Sequence, residues 1–234
     1  EMRVILVAHD PDESAVLALA IQRAGMTLSR SVNFERVLKS WPSQPAEMIV
    51  LAVDGQAGLE QIRRLRGQTT VPIVLVTDPV AEAMHVALLD AGTDLVVMRP
   101  FSARLLIARL RMLARRAAGV ALSTLPTLGT KAFTLDPATR TVQVLSGPPK
   151  RLTQLEFRLL YTLMIHRGQV MSSDKLVEYV WGYEGDADRD LVRGLVSRLR
   201  AKVEPNSREP RFVVTVPGVG YTFELADDEA EEIS

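Results

Sequence analysis

The sequence contains no cysteine, which removes disulfides, thiolate metal sites, iron–sulfur clusters and cysteine nucleophiles from its possible chemistry. Histidine is scarce as well. His9, His85 and His166 are far apart and share no ligand spacing, so no metal site is expected. No apolar run approaches the roughly 18 residues that a membrane span requires, so no membrane partner is expected. The apolar stretch Val4–Ala8 is short for a signal-peptide core and runs into His9 and Asp10, so no export signal is read there and a cytoplasmic location is the expectation. Net charge is lacking too: 28 Lys and Arg balance 28 Asp and Glu. Taken whole, that balance argues against a nucleic-acid partner.

What is present is an ordinary globular composition, 47% hydrophobic and 24% charged over 234 residues, enough for one large or two small domains. From Arg3 to about Arg116, short apolar runs alternate with helical patterns. The strand-like runs are Val4–Ala8, Met48–Ala52, Ile73–Val76 and Leu95–Met98, with a weaker one near Thr27–Val32. Amphipathic stretches fall at 12–24, 34–41, 57–66, 80–91 and 102–116. Parallel strands need crossovers and the crossovers bury both faces, so this grammar predicts a doubly wound five-stranded parallel sheet of flavodoxin-like α/β type. Its functional crevice lies at the carboxyl ends of the strands.

After a break rich in Ala, Gly, Ser, Thr and Pro the order changes. Phe133–Leu135 and Thr141–Leu145 flank a turn and read as an antiparallel pair. Thr153 with Glu156 three residues on is a capping box, so a helix begins at Gln154 and runs to about His166. Ser172 or Ser173 caps a second helix ending near Trp181, and a third spans about 188–204. Phe212–Val216 and Tyr221–Leu225 close the chain as a hairpin. Helices followed by a terminal hairpin predict an α+β winged helix-turn-helix. The resulting domains are 1–117, a linker at 118–127, a winged helix at 128–225 and an acidic tail at 226–234.

On the third helix, Val192, Leu195, Val196, Leu199 and Val203 share an arc of about 100°, the core face. Arg189, Arg193, Ser197 and Arg200 share another, with Arg198 and Lys202 elsewhere on the surface. A helix so placed enters a major groove, where an arginine fork grips phosphates or reads guanine edges. Charge counted by segment agrees: residues 189–211 carry seven bases against three acids, whereas 224–234 carry six acids and no base. Gly55-Gln56-Ala57-Gly58 lacks the residues of a phosphate-binding loop, and no nucleophile elbow is legible, so no catalytic residue and no cofactor are expected.

Several runs resemble the OmpR/PhoB-type response regulators of bacteria. In the second half these are Leu152-Thr153-Gln154-Leu155-Glu156-Phe157-Arg158-Leu159-Leu160, Val180-Trp181-Gly182-Tyr183, Ser197-Arg198-Leu199-Arg200 and Thr215-Val216-Pro217-Gly218-Val219-Gly220-Tyr221. In the first half they are Ile5-Leu6-Val7, Thr77 and Arg99-Pro100-Phe101. The resemblance covers essentially the whole chain. It implies that the helix near 188–204 is the recognition helix, that the wing turn at 217–220 reaches the minor groove, and that the 181–190 loop faces RNA polymerase. Arg189, Arg193, Ser197, Arg198, Arg200, Lys202, Arg211, Thr215 and Gly218 are thus the candidate contacts to double-stranded promoter DNA. Pro217 stands where the family usually has Arg, Leu195 where it often has His, and Arg193 where an acid is common.

A working receiver of this family uses an acidic pair, a phosphoacceptor Asp, a Thr and a Lys, with Mg²⁺. The matching positions here are His9 and Asp10, Ala52, Thr77 and Arg99. Alanine cannot accept a phosphoryl group, and His9 is a poor ligand for a hard cation, so the receiver is atypical and Arg99 is expected to pair with Asp10. Asp54, about 6–7 Å farther along the chain at strand rise, is the alternative acceptor. Val96 replaces the switch aromatic. The family's dimer surface maps to Asp94, Leu95, Leu105, Arg109, Arg111, Arg115 and Arg116, which implies a homodimer with an apolar interface. The function expected is a sequence-specific, homodimeric DNA-binding transcription regulator independent of aspartyl phosphorylation. The alternative is control by a small molecule or partner protein bound to the receiver, or by phosphorylation at Asp54.

Overall fold

The computed structural model describes residues 2–117, 125–182 and 189–225. Part of the expected linker, the centre of the 181–190 loop and the whole acidic tail lie outside the described residues. The chain divides into two compact units, 1–118 and 119–234.

The first unit runs β1 (Arg3–Ala8), α1 (Pro11–Arg23), β2 (Thr27–Ser31), α2 (Phe34–Ser40), β3 (Met48–Ala52), α3 (Gly55–Arg66), β4 (Ile73–Thr77), α4 (Glu82–Ala91), β5 (Leu95–Met98) and α5 (Ala103–Ala117). The sheet order is β2-β1-β3-β4-β5 with every pairing parallel, so the winding reverses between β1 and β3. The carboxyl ends of these two strands lie side by side, with Ala8 opposite Ala52. All five residues of both β3 and β4 are buried, as a sheet covered on both faces requires. The edge strand β2 is polar and has no buried residue. Three strand-to-helix turns use side-chain caps: Asp10 accepts from Glu13 N, Asn33 from Arg36 N and Asp54 from Ala57 N.

The second unit opens with an antiparallel sheet, β6 (Leu128–Gly129), β7 (Phe133–Asp136), β8 (Thr141–Val144) and β9 (Lys150–Arg151), in that order. There follow α6 (Gln154–Ile165), β10 (Met171–Ser172), α7 (Ser173–Val180), α8 (Arg189–Val203), β11 (Val213–Val216) and β12 (Gly220–Phe223). β12 pairs with both β11 and β10. The two-residue strands β6, β9 and β10 were not foreseen, because two residues carry no alternation to read. The capping box of α6 is present in full, and Ser172 caps α7. Val192, Leu195, Val196, Leu199 and Val203 are all buried, as the helical arc requires. Phe133 meets Phe212 and Phe223 edge-on, with centroids at 4.7 and 5.1 Å, joining the first sheet to the terminal hairpin.

Candidate nucleic-acid interface and receiver cleft

α7 and α8 form the helix-turn-helix, and β11 and β12 form the wing. Arg189, Arg193, Ser197, Thr215 and Gly218 are exposed together with Arg211. A cleft of about 240 Å³ brings Arg189 and Arg193 of α8 next to Ser173, Thr215 and Gly218. Arg193 reaches Asp190 at 3.0 Å across one helical turn. Gly218 has φ +74, a conformation that favours glycine at the wing tip. Gly220 is required for a different reason: a Cβ there would run into the Met171 carbonyl, so only glycine lets β12 close on β10.

Three expected DNA contacts have internal partners instead. The Arg200 Nε donates to the Val213 carbonyl and its Nη2 to Thr215 Oγ1, both at 2.8 Å, with the guanidinium 5.9 Å from the Tyr221 ring centre. Burial lowers the Arg200 pKa and raises that of Tyr221. Arg200 therefore braces the wing against the helix and is half-buried. Lys202 donates to Glu156 at 2.6 Å and to the Arg151 carbonyl at 3.0 Å. Arg198 is half-buried and adds its positive charge to the field on Glu156. Burial pushes the Glu156 carboxyl up, but Lys202 and Arg198 outweigh it and hold the carboxyl below its usual range.

One important residue lay outside the sequence reading except as a charge. The Glu204 carboxylate, 8% exposed, accepts the backbone N–H groups of Arg211, Phe212 and Val213 at 2.7–3.3 Å. It fixes where the wing leaves the recognition helix. Its place directly after Val203, the last residue of the apolar arc, was the available signal.

In the first unit, His9, Asp10, Ala52 and Arg99 line a common cleft of about 590 Å³ with Glu13, Asp54 and Asp78. Thr77 does not line it; the side chain is fully buried and Oγ1 has no hydrogen-bond partner among the described residues. The expected Arg99–Asp10 pair does not form. Asp10 is committed to the α1 cap, accepting from Glu13 N at 2.7 Å. Arg99 instead makes a two-pronged bond with Glu13, Nε to Oε1 at 2.6 Å and Nη2 to Oε2 at 2.8 Å, with Asp78 at 3.4 Å. Hydrogen bonding to Glu13 raises the Arg99 pKa further. Asp54 lines the same cleft while capping α3 at 2.9 Å.

Two residues assigned to a dimer surface are internal. Asp94, 2% exposed, pairs with Arg66 at 2.5 Å and accepts from Ile73 N at 2.9 Å. Leu95 is 3% exposed within β5. Leu105 is 49% exposed, and Arg109, Arg111, Arg115 and Arg116 follow it along α5. Arg111 donates to the Arg23 carbonyl, tying α5 to α1. Burial, helped by neighbouring Arg115, lowers the Arg116 pKa.

A receiver-type α/β unit followed by a winged helix defines a DNA-binding transcription regulator, and comparison with known proteins agrees. Residues 4–111 match the response regulator receiver domain and residues 147–223 the transcriptional regulatory protein C-terminal domain. The chain is 30% identical to the DNA-binding dual master transcriptional regulator RpaA of Synechocystis sp., over 97% of each chain. It is 34% identical to the DNA-binding response regulator MtrA of Mycolicibacterium smegmatis, over 94% of this chain and 95% of that one. The chain belongs to the OmpR/PhoB-type response regulators. Among solved structures, a point mutant of RitR shares the fold with a TM-score of 0.76 at 20% identity, covering 97% of this chain and all of that one. Among the described residues no helix is long and apolar enough to cross a membrane.

Proposed function

We propose that this regulator binds promoter DNA as a homodimer with its receiver held in one state by an internal ion pair rather than by aspartyl phosphorylation. The observation that carries the proposal is the Glu13–Arg99 bond in the cleft, beside Ala52 at the end of β3. Arg99 is the cation that would otherwise neutralise a phosphoryl group, and Glu13 supplies the anion from within the chain. A divalent cation fits this donor set poorly: Asp10 and Asp54 cap helices, Glu13 is bound to Arg99, and a guanidinium stands among them. Among the described residues no cluster of three or more candidate ligands forms.

On the DNA side, α8 enters the major groove through Arg189, Arg193 and Ser197, while Thr215 and Gly218 carry the wing toward the backbone. Arg200 and Lys202 support that surface from behind. The dimer forms through α5, with Leu105 at the centre of the contact and Arg109, Arg111, Arg115 and Arg116 around it. The 181–190 loop meets RNA polymerase. The linker, the winged-helix boundaries and the acidic tail at 226–234 follow the division read from the sequence.

The test is in vitro selection of bound DNA by the full-length protein without any phosphodonor, with sedimentation to count subunits. A repeated half-site recovered by a dimer is expected. Monomers that select no sequence until acetyl phosphate and Mg²⁺ are added would overturn the proposal. Phosphate labelling abolished by Asp54→Asn would instead establish the displaced acceptor.

A further inference from the structure

A second cavity, of about 600 Å³, opens at the polar edge of the receiver between β2, α1 and α2. Its volume falls in the range of roughly 300–1,000 Å³ typical of small-molecule sites. Its lining includes Arg30, Arg36 and His9 but no aspartate or glutamate. Neither guanidinium has a hydrogen bond or ion pair among the described residues. Elsewhere in this unit Arg64, Arg66 and Arg99 each hold a carboxylate. The acid nearest in sequence to Arg36 is turned to another use, since both oxygens of Glu35 bind Arg64.

Both side chains line one concavity that holds no carboxylate, so the opening carries positive charge and favours an anion. A charged edge strand resists unwanted pairing, which accounts for Arg30 alone and not for Arg36 on the facing helix. The other polar groups are small and neutral. Ser14 and Ser29 offer hydroxyl groups and the Asn33 side chain its amide N–H groups, Ser31 and the Asn33 side-chain oxygen being engaged at the α2 cap, and no Phe, Tyr or Trp lines the cavity to stack on a base. An arginine pair matches phosphate geometry, and the hydroxyl and amide lining suits a polyol body.

We propose that this cleft binds a small phosphate monoester with a hydroxylated body, the phosphate held by Arg30 and Arg36. The site shares His9 with the Glu13–Arg99 cleft, but Arg30 and Arg36 line only the second cavity, so the phosphate contact does not rest on the Glu13–Arg99 bond. The test is calorimetric titration of the full-length protein with glucose 6-phosphate, ribose 5-phosphate and glycerol 3-phosphate, alongside inorganic phosphate and glucose. At least one ester is expected to bind once per chain with Kd below about 1 mM. The Arg30→Gln/Arg36→Gln variant is expected to weaken it by about tenfold or more while keeping its unfolding midpoint. Arg189→Gln/Arg193→Gln, on the DNA face, is expected to leave it unchanged. The proposal fails if none of the three esters saturates by about 10 mM, if Arg30→Gln/Arg36→Gln binds as tightly, or if the DNA-face variant abolishes binding. Inorganic phosphate binding as tightly as every ester would overturn the role given to the hydroxylated body.

Discussion

The receiver cleft and the recognition helix use arginine in different ways. In the receiver cleft Arg99 is neutralised by Glu13, and beneath α3 Arg66 is neutralised by the buried Asp94. On the recognition helix, Arg189 and Arg193 stand on an exposed face, while Arg200 is withdrawn into the support of the wing. Position on a helix decides little here; what decides is whether a second element passes close enough to supply an acceptor. Charge held inside the chain sets shape, and charge left at the surface is available to a partner.

The sharpest way to break this contrast is Arg66→Ala. It leaves Asp94 buried without its cation, which costs about 3–5 kcal/mol, and calorimetry should show the receiver transition falling while that of the winged helix holds. Next in size, Arg200→Ala removes two hydrogen bonds that brace the wing, so the winged-helix unit should lose about 1–3 kcal/mol in urea unfolding. Arg193→Ala should instead leave stability unchanged and reduce the salt dependence of DNA binding by about one phosphate contact. If Arg200→Ala altered only the salt slope and Arg193→Ala only stability, the division between bracing and contacting residues would be reversed.

A pH titration sharpens the comparison within the winged helix. The folded-state pKa of Glu156 is lowered, so the folded state favours its carboxylate. Its contribution is fully present above the unfolded value, about 4.3, and is lost as pH falls through the folded value. Glu156→Gln should flatten the acid limb of the stability curve in this unit. The smallest expected effect concerns residues 226–234, whose removal after Leu225 should raise nonspecific DNA affinity at low salt and leave sequence preference alone.

The periodic elements were legible because burial imposes a period. Among the described residues, the five receiver strands and the eight helices lie within about two residues of where apolar spacing and caps put them. The caps at Thr153 and Ser172 were legible because they act over three residues, whereas Asp10, expected to pair with Arg99, caps α1 instead. The partners of Arg99 and Arg66 were not. Glu13 is 86 residues from Arg99 and Asp94 is 28 from Arg66, and no local pattern marks a pair that only sheet topology brings together. Arg200 shows the same limit: a helical wheel separates it correctly from the apolar arc, but cannot show that β11 runs alongside to accept its hydrogen bonds. Segmental charge was more informative than the total, since the neutral sum concealed a basic recognition region and an acidic end.

The edge-on contacts of Phe133 bear on how much chain the DNA-binding half needs to stand alone. The matched C-terminal domain begins at residue 147, yet Phe133 is 1% exposed and fills the space against Phe212 and Phe223. A fragment cut at 147 would strip the first three strands and leave the aromatic floor of the wing open to water. The smallest autonomous fragment is therefore expected to start before Leu128, with the leading sheet kept as part of the reading head.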